Sequence, residues 1–243
     1  MPQPFLTTRW SIIARAGEWK PGMLSSDVAR AALTELIGAY WQPLYAFARR
    51  QGRAHSDAED LVQGFFARAV EKGGLIPTER RARFRAFLLA AFQHFCANEH
   101  ARATAQKRGG GATTHALADF ADLARLEDAR CVDAESPERA FERRFAERVL
   151  EQSLARLRDE QQRAGKAEHF AKLEPHLTGV EVDQSQAALA AELGTSAGAL
   201  KVALHRLRRR YGELLREEVA ATIEDPREID TELVALRDAL GAR

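Results

Sequence analysis

Residues 186–211 read QAALAAELGTSAGALKVALHRLRRRY, and the rest of the chain is organised around them. The spacing predicts a short helix, a tight turn and a longer helix with an arginine-rich tail. In the first helix Leu189, Ala190 and Leu193 fall inward. Gly194 supplies a left-handed stop without steric penalty. Thr195 or Ser196 can then cap the second helix by accepting a hydrogen bond from its free amides. Leu200, Leu204, Leu207 and Tyr211 recur as one apolar stripe. At about 100° per residue, Lys201, Val202, His205, Arg206 and Arg209 occupy the opposite side. Gly198 and Ala199 keep the start of the helix slim enough to approach another surface. Such a helix-turn-helix would lay its second helix in a DNA major groove.

Charge is segregated in a way that fits a polyanionic partner. The net formal charge is +1, yet residues 1–108 carry 16 basic and 9 acidic side chains, and residues 186–216 carry 6 and 2. Between them residues 109–140 carry 3 and 7, and the tail 217–243 carries 3 and 8. Two basic blocks separated by an acidic stretch imply two contacts with one polyanion. Hydrophobic residues make up 45% and charged residues 29% of 243, the composition of a folded soluble protein. The two cysteines, Cys96 and Cys131, lack metal-ligand spacing, and a reducing cytoplasm fits them. No stretch has the roughly 20 apolar residues of a membrane span. The triple glycine at 109–111 lacks the preceding strand that a phosphate-cradling loop needs, and no nucleophile–base pair stands out. The reading therefore expects no catalytic residue, metal or cofactor, and a cytoplasmic location.

Working outward, the pattern is helical throughout. Residues 5–20 predict a short amphipathic helix. From Asp27 to Arg50, Leu33, Leu36, Ile37, Tyr40, Trp41, Leu44 and Phe47 share a face, with a kink or restart expected at Pro43. Ser56 and Glu59 have the spacing of a capping box. In the helix that follows, Ala58, Leu61, Val62, Phe65, Phe66 and Ala69 face inward while Asp60, Gln63, Ala67 and Glu71 project outward. A basic loop, Thr78 to Arg83, leads into a helix from about Phe84 to Lys107 whose buried stripe is Phe84, Phe87, Leu88, Ala91, Phe92 and Phe95. Aromatics interleaved with arginines are what unstacked single-stranded bases bind. Pro137 opens a further long helix at its first position. After Asp225-Pro226 an acidic helix carries Ile229, Leu233, Leu236 and Leu240 on one edge.

This order of elements resembles the extracytoplasmic-function (ECF) sigma factors of bacterial RNA polymerase. The stretches that carry the resemblance are DAEDLVQGFFARAVEKG at 57–73, RFRAFLLAAFQHFCANE at 83–99 and GTSAGALKVALHRLRRRY at 194–211. It spans roughly residues 27–216, and the KRGGG junction and the DPxExxxEL tail look like those of a distinct subgroup. The resemblance implies an all-α fold of two helical domains joined by an acidic linker. The parts are an N-terminal extension (1–26), a sigma region-two-like bundle (27–108), the linker (109–137), a region-four-like helix-turn-helix domain (138–216) and an acidic C-terminal tail helix (217–243).

The same resemblance implies no enzymatic activity but a transcription-initiation factor whose partners are core RNA polymerase and promoter DNA, both duplex and single-stranded. Asp60, Gln63, Ala67 and Glu71 match the face that docks on the polymerase. Arg80, Arg81, Arg83, Phe84, Arg85, Phe87, Asn98 and Arg102 match the promoter-melting region, with Phe87 where sigma factors often carry tryptophan. In the helix-turn-helix, Lys201, His205 and Arg206 are the expected base readers, because guanine offers two acceptors to a basic donor. Arg208, Arg209 and Arg210 are expected to hold phosphates, and Ser196, Ala199 and Val202 complete the DNA-facing set. An anti-sigma factor, or an acidic tail folded over the helix-turn-helix, would hold the protein inactive. The alternative is a conventional helix-turn-helix regulator that binds duplex DNA without polymerase.

Overall fold

The computed structural model describes residues 27–71, 84–106, 135–177, 186–223 and 225–241. The expected helix at 5–20, the basic loop with Arg80, Arg81 and Arg83, most of the acidic linker and Cys131 lie outside the described residues. Everything regular among the described residues is helical: α1 (Asp27–Arg50), α2 (His55–Glu71), α3 (Phe84–Gln106), α4 (Pro137–Arg163), α5 (Ala167–Leu173), α6 (Gln186–Glu192), α7 (Ala197–Ala220) and α8 (Ile229–Gly241). Among the described residues no helix is long and apolar enough to cross a membrane. The chain divides into two compact units, Met1–Arg148 with Ala220–Arg243, and Val149–Val219. The division falls inside α4.

The first unit is built on an aromatic core. Leu44, Tyr45 and Phe47 from α1, Val62 and Phe66 from α2, and Phe84, Leu88 and Phe92 from α3 are all essentially inaccessible to water. Phe92 meets Phe65 and Phe47 edge-on, at centroid distances of 5.2 and 6.0 Å, the arrangement that aromatic quadrupoles favour. Helices α2 and α3 approach closely where α2 carries Gly64, since a methyl group there would stand 3.3 Å from the Phe95 ring. Cys96 is a free, buried thiol, and burial pushes its pKa up to about 11.

Of the kink or restart expected at Pro43 there is no restart, and the capping box expected at Ser56 is absent. Helix α1 runs through Pro43 without restarting, because Pro43 is buried within a face otherwise closed by Tyr40, Trp41, Leu44 and Phe47. Packing of that face outweighs the one backbone donor missing at proline. The capping box at Ser56 does not form either. Helix α2 begins one residue earlier, with the Ala58 amide donating to the Ala54 carbonyl at 2.9 Å. Glu59 instead lies 3.5 Å from the ring of His55, whose other nitrogen is 2.7 Å from the Tyr45 hydroxyl.

Helix α4 starts as the sequence predicts. Pro137 is its first residue, and the Ser136 side chain accepts from the Arg139 amide at 3.3 Å. In the second unit, α4, α5, α6 and α7 enclose two apolar clusters. One joins Leu173, Leu189, Ala190, Leu200 and Leu204, and the other joins Leu157, Phe170 and Leu214. Each buried leucine contributes about 1.5–3 kcal/mol relative to an exposed one. Leu207 packs against both clusters and ties them into one stripe along α7.

Candidate nucleic-acid interface

The turn between α6 and α7 carries the geometry that its residues predict. Gly194 has φ +61°, the Thr195 amide donates to the Ala190 carbonyl at 2.9 Å, and the Gly194 amide donates to Ala191 at 3.1 Å. This pair of bonds is the Schellman closure of α6. Ser196 then caps α7, its hydroxyl accepting from the Ala199 amide at 3.2 Å and its carbonyl from the Leu200 amide at 2.9 Å. A Cβ at Gly194 would meet nothing within 4 Å, so Gly194→Ala tests backbone conformation alone. That substitution is expected to cost about 1–2 kcal/mol in urea denaturation, with Gly194→Asn losing less.

With Leu200 and Leu204 buried and Leu207 half-buried beneath, the other side of α7 is open. Gly198, Ala199, Lys201, Val202, His205, Arg206, Arg208 and Arg209 are all exposed. Val202 is half exposed, an unusual position for a large apolar side chain among the described residues. Arg208 also donates to the His176 carbonyl at 3.0 Å, holding the 3-10 turn that follows α5, and Arg209 pairs with Glu213 at 3.2 Å.

Arg210 departs from its expected place on the phosphate-holding side. Its guanidinium grips Glu160 of α4 with two bonds, of 2.7 and 2.9 Å, and also reaches Glu213 and Glu217. Below it Arg156 joins Glu217 at 2.5 Å and Glu218 at 2.8 Å, so a ladder of alternating charge clamps the far half of α7 to α4. Arg158 forms a similar fork with Glu174. The bond from Arg210 holds the Glu160 carboxyl below the ordinary value of 4.5, and Arg158 does the same for Glu174. A carboxylate whose native pKa is depressed stabilises the fold fully above its unfolded pKa and stops doing so as pH falls through the native one. Melting followed from pH 6 to pH 3 should therefore show the chain losing stability below about 4.5. The double variant Glu160→Gln and Glu174→Gln should flatten that loss.

In the first unit the outward face of α2 is as expected, with Asp60, Ala67 and Glu71 exposed and Gln63 partly so. The melting set divides. Asn98 and Arg102 are exposed on α3, Arg102 pairing with Glu99 at 2.7 Å, and Phe87 is half-buried. Phe84 and Arg85 are not on the surface. Phe84 is core, edge-on to Tyr40 at 5.4 Å, because it falls on the buried stripe with Leu88 and Phe92. Arg85 is buried, bound to Glu142 of α4 at 2.8 Å and to Glu232 of α8.

The contact to Glu232 also shows where the tail helix packs. Helix α8 packs as part of the first unit, where Glu232 meets Arg85, and not as part of the helix-turn-helix unit. Sequence reading missed Glu160 and Glu232 as partners; the one signal for Glu232 was its place in the DPxExxxEL run, on the apolar edge of its helix. No protein-family model, curated protein or solved structure matches this chain.

Proposed function

We propose that this protein is a sigma factor of the ECF kind, which binds core RNA polymerase, carries it to promoter DNA and helps to open the duplex. The observation that supports the reading most is the exposed face of α7. Lys201, Val202, His205 and Arg206 occupy its first turns, Arg208 and Arg209 follow, and a fixed turn and cap hold the helix at its start. Cationic donors near the start of an exposed helix face suit guanine edges in a major groove, and the arginines behind them suit phosphates. The face of Asp60, Gln63, Ala67 and Glu71 on α2 is the proposed polymerase contact. Strand separation costs on the order of 1–2 kcal/mol per base step, which contacts to the separated strand must offset. Phe87, Asn98 and Arg102, together with the basic loop Arg80, Arg81 and Arg83, are the residues proposed to make them.

An electrophoretic shift on a promoter library, with and without purified core RNA polymerase, tests this. A shift that needs both proteins and brings permanganate-reactive thymines supports a sigma factor. A strong shift with the protein alone, unaffected by polymerase, would establish instead a conventional regulator of duplex DNA.

A further inference from the structure

Helix α8 carries a charge where packing asks for none. Ile229, Leu233, Leu236 and Leu240 lie partly or fully buried along one face, and Glu232 sits among them with no exposure to solvent. Its carboxylate meets the Arg85 guanidinium, which is also held by Glu142 at 2.8 Å and lies 5.3 Å from the centre of the Phe145 ring. A buried ion pair stabilises little in net terms, since desolvation cancels most of the attraction, and a leucine would pack as well. What the carboxylate adds is chemical selectivity. Helix α8 is held by an anion–guanidinium contact, and another anion can replace that contact.

Arg85 is the second residue of α3, immediately after the run Thr78 to Arg83 with its three arginines. Arginine takes a phosphate in the same bidentate manner as a carboxylate. We propose that the surface beneath α8, centred on Arg85, binds the backbone of a single nucleic-acid strand, and that α8 is its built-in competitor. Glu232 occupies Arg85 until a phosphate displaces it. The turn at 225–228, where the Asp225 side chain accepts from the Arg227 amide at 3.0 Å, starts α8 as a separate short helix that can leave without unwinding α7. This inference rests on the single-strand reading of the start of α3.

The test uses the full chain and a fluorescein-labelled DNA single strand of about 20 nucleotides, with fluorescence anisotropy and amide hydrogen exchange as readouts. Glu232→Gln keeps the shape and removes the charge, and should tighten binding about tenfold. Asp238→Asn removes an exposed charge from the same helix and should change nothing. Adding Arg85→Ala to Glu232→Gln should abolish the gain. In the unaltered chain, saturating single strand should accelerate exchange of residues 229–241. Should Glu232→Gln fold poorly by circular dichroism, Leu236→Ala, which loosens α8 without touching charge, should give the same gain. Equal affinities for Glu232→Gln and Asp238→Asn, or unaltered exchange in α8 when the strand binds, would overturn the competitor while leaving the single-strand reading in place. No strand binding by any of these chains would withdraw that reading and the inference together.

Discussion

Replacing both Lys201 and Arg206 with alanine should lower promoter affinity of the polymerase complex by about 5- to 150-fold for each proposed base reader removed. Both side chains are exposed on the open face of α7, so their removal leaves the apolar stripe of Leu200, Leu204 and Leu207 untouched. Stability should stay within about 0.5 kcal/mol of the parent. The same assay separates base readers from phosphate holders. Arg209→Ala should weaken all sequences alike and reduce the dependence of log affinity on log salt by about one unit. Arg210→Ala should behave in a third way, because its guanidinium is bound to Glu160 and not turned to the open face. Its main effect should be a lower melting temperature. An equal drop in DNA affinity from Arg210→Ala and Arg206→Ala, at unchanged stability, would contradict this division.

Phe92→Ala should be the most damaging single substitution in the first unit, costing about 3–5 kcal/mol. Phe92 has no exposed surface and sits between Phe47 of α1 and Phe65 of α2, so truncating it opens a cavity where three helices meet. At roughly 2–4 °C per kcal/mol for a chain of this size, its unfolding transition should fall by about 6–20 °C. Phe87→Ala is the comparison. That ring is half-buried and touches Phe84 at 6.1 Å near the start of α3, so it should cost much less. Similar costs for the two would mean that the core is not centred on Phe92.

The helices were legible because a 3.6-residue period shows which face of each one is buried. The stripe Leu200, Leu204, Leu207, Tyr211 and the start of α4 at Pro137 follow from neighbours a few residues away, as does the turn at Gly194. What the period leaves open is what a buried face meets. Phe84 falls on the buried stripe of its helix, yet the arginines beside it also suit a base-stacking ring, until Tyr40 is seen against it. Arg85 and Arg210 each look like a free cation in a basic run, because Glu232 and Glu160 stand far off in the chain. The same distance hid the true berth of the tail, whose acidity pointed to the nearest basic helix in sequence while its buried glutamate met Arg85.

If α7 reads DNA as proposed, the ladder of Arg210, Glu160, Arg156, Glu217 and Glu218 has a consequence for that reading. A helix is stiff to twisting, so whatever sets the azimuth of α7 at one end sets it at the other. Advancing one residue turns the presented face by about 100°, and even a fifth of that would swing Val202 or Arg206 from one base pair toward its neighbour. At 1.5 Å per residue the clamp at Arg210 acts about 12 Å along the axis from Val202. The compass bearing of the open face is thus fixed by charges that need never touch the proposed nucleic acid, and altering them should shift which base is preferred before it weakens grip.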